Sequence, residues 1–209
     1  MTTSEQRRPT VCLVDDDPSV RRSLSRTLRA AGYEVAAFAS AEEFLAFGQG
    51  VRPGCLVLDV DMPGLNGLEL QERLARDNQG ISIVFITAHG DIPMTVKAIQ
   101  RGAVDFLPKP FGSEAFLAAV RTALEKDVRD GALHAERCAL QERYETLTPR
   151  EREVFAHLLA GKLNKQVASA LGIVEQTIKI HRARVLEKFG VTSVAELVRI
   201  AAKLGIEAA

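Results

Sequence analysis

Over the first 125 residues, short apolar runs alternate with stretches whose apolar residues recur every three or four positions. Thr10–Val14, Tyr33–Phe38, Cys55–Asp59, Ile81–Ile86 and Val104–Leu107 have strand length and read as buried strands. The segments between them carry helix punctuation. Asp17-Pro18 sets an N-cap before a proline at the first helical position, Val20, Leu24 and Leu28 share a face, and Gly32 stops the helix. Ser40-Ala41-Glu42-Glu43 has capping-box spacing, and Asn66-Gly67 leads into a helix bearing Leu68, Leu70 and Leu74. Asp91 reads as a cap for Ile92 to Arg101, and Ser113 caps a fifth helix. Five strands alternating with five helices predict an α/β domain, a doubly wound five-stranded parallel sheet, over residues 9–125.

The helical pattern continues past Ser113 with Phe116, Val120, Leu124 and Val128 at i, i+4 spacing, then Leu133, Leu140 and Leu147 spaced by sevens. A charged helical linker over 126–145 is the plain reading, and a contact with a partner helix is the alternative. Residues 146–209 predict an all-α domain. Thr148-Pro149-Arg150-Glu151 is a capping box, and the helix it starts runs to Gly161. Asn164 is expected to cap a short helix through Leu171, Gly172-Ile173-Val174 to turn, and Glu175–Phe189 to form a longer helix with Ile178, Val185, Leu186 and Phe189 inward. Ser193–Leu204 completes the set, and two helices joined by a tight glycine turn make a helix-turn-helix.

Composition narrows the class. Hydrophobic content of 46% and charge of 26% are those of a globular chain, and no apolar run approaches the ~20 residues of a membrane span. Thr2–Arg8 lacks the apolar core of a signal peptide, so a cytoplasmic location without membrane partners is expected. Cys12, Cys55 and Cys138 lack metal-type spacing, and the first two are expected to be buried thiols. Net charge is zero, but residues 1–125 hold 13 Lys/Arg against 16 Asp/Glu, whereas residues 146–209 hold 10 against 6. The basic tail is the nucleic-acid candidate.

Polar residues gather at the ends of the predicted strands: Asp15 and Asp16 after the first, Asp59 after the third, Thr87 after the fourth, Lys109 after the fifth. In a parallel sheet these ends share one edge, where ligands bind. Single aspartates after strands are often only turn residues, but that does not account for three carboxylates, a hydroxyl and a lysine converging. Clustered carboxylates need a hard cation, and oxygen ligands at a solvent edge suit Mg2+. A carboxylate so placed can attack phosphorus and form an acyl phosphate, with metal, ammonium and hydroxyl each holding a phosphoryl oxygen. On the Glu175–Phe189 helix, Lys179, His181, Arg182, Arg184 and Lys188 face only Glu175 and Glu187 in opposition, which favours insertion into the major groove. Asn164, Lys165 and Thr177, near helix starts, are placed to hold phosphates.

Residues 10–125 resemble the receiver domain of two-component response regulators, a flavodoxin-like fold. The resemblance rests on Val14-Asp15-Asp16-Asp17, Leu58-Asp59-Val60-Asp61-Met62-Pro63-Gly64, Thr87-Ala88-His89-Gly90 and Lys109-Pro110-Phe111. It implies that Asp59 accepts phosphate from a sensor histidine kinase and that Asp15, Asp16, Asp59 and the backbone carbonyl of Asp61 surround Mg2+. It also implies a cis Lys109-Pro110 bond, Thr87 as switch hydroxyl and Phe106 as a side chain that fills space vacated by Thr87. The Asp61 side chain receives no role from it. Asp59-x-Asp61 also resembles the paired aspartates of haloacid-dehalogenase-type phosphatases, but there the motif follows the first strand and here the third.

Residues 147–206 resemble the LuxR-type helix-turn-helix of NarL- and FixJ-class regulators. The carrying segments are Leu147–Val154, Asn164-Lys165-Gln166-Val167-Ala168, Thr177-Ile178-Lys179-Ile180-His181-Arg182 and Val191–Val198, with Val194 where such domains often carry Arg. Gly90-Asp91-Ile92-Pro93-Met94 and Gly102–Leu107 are most similar to the FixJ subgroup. The resemblance implies a transcription regulator rather than an enzyme. Its partners would be promoter DNA, a second copy of the chain on phosphorylation, and RNA polymerase, with activation favoured. Ile180 joins the candidate DNA contacts through the same motif.

Overall fold

The structure, a computed structural model, describes residues 9–47, 53–77, 80–88 and 92–206. Thr2–Arg8, His89, Gly90 and Asp91 lie outside the described residues. The chain divides into two compact units, Met1–Asp130 and Gly131–Ala209.

In the first unit β1 (Thr10–Val14), α1 (Pro18–Ala30), β2 (Glu34–Phe38), α2 (Ala41–Phe47), β3 (Cys55–Asp59), α3 (Gly67–Arg76), β4 (Ile83–Thr87), α4 (Ile92–Gln100) and β5 (Asp105–Pro108) follow in order. The strands form one parallel sheet ordered β2-β1-β3-β4-β5. Strand alternation divides the core between its faces. Cys12, Val14, Leu56, Leu58 and Phe85 pack with Phe44, Leu70, Leu74 and Ala98 from α2, α3 and α4. Val11, Leu13, Cys55, Val57, Val84 and Ile86 pack instead with Leu24 and Leu28 of α1, and with Phe116, Val120 and Ala123 of α5 (Ser113–Glu145). Full burial of each large apolar side chain contributes roughly 1.5–3 kcal/mol, so both faces commit the register. Cys12 and Cys55 are buried thiols, and burial pushes the Cys12 thiol up to about 11.

Local chemistry sets the helix starts. Asp17 accepts from the Ser19 and Val20 N–H groups, and Asn66 and Glu69 form a reciprocal capping box at 3.0 Å each way. Strands β4 and β5 end one residue later than the apolar pattern predicts, because Thr87 and Pro108 pair with each other in the ladder. Thr87 is thereby a strand residue with strand rigidity.

Helix α5 crosses the boundary between the units, so the segment 126–145 is divided between them. Leu140 and Leu147 are buried in the core of the second unit. The seven-residue spacing that suggested a partner-helix seam is therefore largely consumed within the chain, leaving Val128 and Leu133 exposed. The second unit continues with α6 (Pro149–Leu159), α7 (Asn164–Leu171), α8 (Glu175–Phe189) and α9 (Val194–Leu204). Val154, Phe155, Leu158, Val167, Ile178, Val185, Phe189 and Leu197 make its core, and Phe155 stacks on Phe189 at 5.5 Å. Gly172 ends α7 in the left-handed region at φ 66°, a conformation that favours glycine. No described helix is long and apolar enough to cross a membrane.

Candidate functional sites

The carboxyl edge of the sheet brings the predicted residues together. Asp15 follows β1 and is fully buried, Asp59 ends β3 and is nearly so, and Asp16 is exposed beside them. Lys109, just past β5, donates from Nζ to Asp15 Oδ2 at 2.8 Å and to Asp59 Oδ2 at 3.0 Å. Asp15 Oδ1 accepts from the Asp17 N–H at 2.8 Å, which fixes the carboxylate in the loop. Asp59 Oδ1 is buried without a hydrogen-bond partner among the described residues. The Lys109-Pro110 bond is cis, as expected.

Electrostatics follow from this packing. Burial pushes the Asp59 carboxyl above its ordinary range and the Asp15 charge adds to the rise, while Lys109 opposes both. For Lys109 burial acts downward, but hydrogen bonds and charge from Asp15 and Asp59 outweigh it and hold the ammonium above its usual value. Asp59 is thus a buried carboxylate paired with Lys109 through one oxygen, with the other spare.

Asp15, Asp16 and Asp59 each present an oxygen, all within 4.8 Å of one another. An octahedral Mg2+ with bonds of about 2.1 Å spans oxygens up to about 4.2 Å apart, so the three carboxylates fit one such ion with modest adjustment. The orphaned Asp59 oxygen is the group such an ion would satisfy.

Two contacts at this edge escaped the sequence. Thr87, fully buried, donates its hydroxyl to Asp61 Oδ2 at 2.9 Å. The Asp61 side chain, left without a role by the sequence, holds the Thr87 hydroxyl. Parallel pairing of Asp59 with Ile86 and the Val60 N–H bond to the Ile86 carbonyl bring Asp61 level with the end of β4, so the register carried the signal. The second contact is the approach of Gly67 to the end of β3. A Cβ there would lie 2.3 Å from the Asp59 carbonyl oxygen and 3.1 Å from Val60 Cα. Phe106 is buried at this edge, 9% exposed, with its ring 6.0 Å from that of Phe85.

In the second unit, Lys165, Lys179, Ile180 and Arg184 are exposed, while Thr177, His181 and Arg182 are half-buried. Lys179 lies 3.5 Å from Glu175 one turn earlier, an exposed pair of little energetic weight. Two of the candidate residues have partners within the domain, and a third residue enters beside them. Asn164 is the first residue of α7 rather than its cap, because Gln166 already reaches back to the Leu163 N–H at 2.8 Å. The freed Asn164 Oδ1 accepts from Arg182 Nη1 at 3.3 Å, tying α7 to α8. Lys188 is engaged within the domain, donating to Glu151 Oε2 and to the Thr146 carbonyl at 2.7 Å each. Arg143, not singled out in the sequence, donates to the Phe189 carbonyl at 2.7 Å and so caps α8.

Comparison with known proteins places both units in families. Residues 11–121 match the response regulator receiver domain, and residues 145–201 match the luxR family of bacterial regulatory proteins. Nodulation protein W of Bradyrhizobium diazoefficiens is 48% identical over 198 residues, covering 95% of this chain and 87% of that protein. The transcriptional regulatory protein FixJ of Rhizobium meliloti is 41% identical over 192 residues, covering 92% and 94%. The solved structure of the response regulator StyR is 46% identical, with a TM-score of 0.81 over 94% of this chain and 99% of that one. Receiver domains bind Mg2+ at an acidic pocket such as this and take a histidine kinase as partner, and luxR-type domains bind DNA. A receiver with an intact acidic edge, fused to a luxR-type helix-turn-helix, makes this chain a member of the FixJ-like family of transcriptional response regulators.

Proposed function

We propose that Asp59 is phosphorylated by a sensor histidine kinase, and that the phosphorylated chain dimerises and binds promoter DNA to regulate, in the activating sense, transcription. The observation that carries this is the spare Asp59 oxygen beside Asp15, Asp16 and Lys109. In the transfer, a carboxylate oxygen of Asp59 forms the new bond to phosphorus. The bond from phosphorus to the kinase imidazole nitrogen breaks, and its electron pair returns to that nitrogen. Asp15, Asp16, Asp59 and the Asp61 backbone carbonyl would hold Mg2+, which when bound neutralises charge on the phosphoryl oxygens. Lys109 remains within reach of the acceptor and pairs with a phosphoryl oxygen as the acyl phosphate forms on Asp59.

Thr87 then donates its hydroxyl to the new anion. Its departure from Asp61 leaves Phe106 to settle further against Phe85. The face of α4 and β5, where Val96 and Ile99 are 46% and 44% exposed, is the dimer contact proposed here. In the second unit Lys165 and Thr177 are assigned to phosphates. Lys179, His181, Arg182 and Arg184 are assigned to groove and backbone contacts, and Ile180 to a thymine methyl. Asn164 acts through Arg182, and Lys188 is withdrawn from the DNA set. Paired recognition helices raise operator affinity by avidity, and RNA polymerase is the partner downstream.

The test is selection of a duplex from a random-sequence pool, followed by affinity measurement with and without acetyl phosphate and Mg2+. Phosphodonor-dependent tightening supports the reading, and equal tightening of Asp59→Asn overturns it.

A further inference from the structure

Thr87 Oγ carries one proton, and it is directed at the Asp61 carboxylate, 2.9 Å away. A hydroxyl can donate to one acceptor at a time in a linear bond. The same proton is needed by a phosphoryl oxygen on Asp59, two residues from Asp61. The two anions therefore compete for one donor. Thr87 is fully buried in β4 and stiff at χ1, so turning its hydroxyl from one acceptor to the other is a discrete change.

The geometry points to Asp61 as a latch that holds the Thr87 hydroxyl in the resting arrangement and sets the threshold for switching. The inference rests on phosphorylation of Asp59 and assigns to the Asp61 side chain a positioning role, acting through Thr87. A carboxylate is a stronger competitor than a neutral acceptor, because charge-assisted hydrogen bonds are shorter and about twice as strong. Residue 61 thereby tunes how fully a given level of phosphorylation is converted into the active arrangement. Removing the carboxylate removes that competitor for the proton.

The experiment uses the full chain as wild type, Asp61→Ala, Asp61→Asn, Thr87→Val and Asp61→Ala/Thr87→Val, incubated with acetyl phosphate and Mg2+. Intact mass gives phosphoryl occupancy, and sedimentation at matched occupancy gives the dimerisation constant. Asp61 is exposed, and melting curves identify any variant that fails to fold. Asp61→Ala should strengthen dimerisation roughly tenfold, which is about 1.4 kcal/mol. Asp61→Asn should fall between it and wild type, and Asp61→Ala should add nothing in the Thr87→Val background. A purely structural role would move the melting temperature and leave dimerisation at matched occupancy unchanged. Equal dimerisation constants for wild type and Asp61→Ala, or the same gain in the Thr87→Val background, overturn the latch. Absence of phosphate on wild-type Asp59 would instead strike the function proposed above, and the mass measurement separates the two failures.

Discussion

The Lys188 ammonium lies 2.7 Å from the Glu151 carboxylate, a group only 3% exposed. Glu151 also closes the capping box of α6 through the Thr148 N–H, so a lysine near the end of α8 secures the start of α6. Removing it leaves a buried charge with only neutral partners. Lys188→Met should lower the stability of the second unit by about 2 kcal/mol, measured by denaturant unfolding monitored through exchange of its core amides.

The same pair gives that unit an acid limit. Burial acts to raise the Glu151 carboxyl, but Lys188 and Thr148 outweigh it and hold it below its ordinary value of 4.5. Its contribution is fully present above that pH and is lost as pH falls through the lower folded-state value. Unfolding of the second unit followed downward from pH 6 should show this loss, and Lys188→Met should flatten it.

Asp59 predicts the opposite slope in the first unit. Its folded-state value lies above the ordinary 3.8, so the ionised carboxylate costs stability at neutral pH. Stability should rise as pH falls through the folded value and level off below 3.8, where the unfolded chain is protonated too. Asp59→Asn should stabilise the first unit at pH 7 by about 1 kcal/mol, the lower end for an unsatisfied buried group, with a weaker pH dependence. Calorimetry of both proteins across pH measures this.

Gly67 tests the fit between α3 and the acceptor strand. Its hypothetical Cβ meets backbone 2.3 Å away, which cannot move aside as a flexible side chain can. Gly67→Ala should cost about 1–3 kcal/mol and slow acyl phosphate formation by displacing Asp59. Melting curves and the time course of intact mass report the two effects separately.

Much of this could be read from the chain because its signals were local. Strand-length apolar runs, capping residues at Asp17, Asn66 and Thr148, and glycines after helices are choices made within a few residues. The acidic edge was legible because parallel strands bring their ends to one side, wherever the residues fall in the chain. Pairings between side chains distant in sequence were not. Lys188 and Arg182 look alike as basic residues on one helix, yet a buried glutamate claims the first and an asparagine the second. The Asp61 carboxylate was passed over because its partner lies on the neighbouring strand.

DNA recognition gives a further contrast between lysines. Each phosphate contact adds close to one to the salt dependence of binding. Lys179→Ala should weaken binding and reduce the slope of log affinity against log salt by about 1, whereas Lys188→Met should leave the slope unchanged. Titrations on one selected duplex at several salt concentrations compare them.

The most direct measurement of the central claim is intact mass together with sizing after incubation with acetyl phosphate and Mg2+, for wild type and Asp59→Asn. One added phosphoryl group and a shift toward dimer are expected in the wild type, with neither in Asp59→Asn. A phosphorylated or dimerising Asp59→Asn protein, or a wild type that takes up no phosphate, would contradict it.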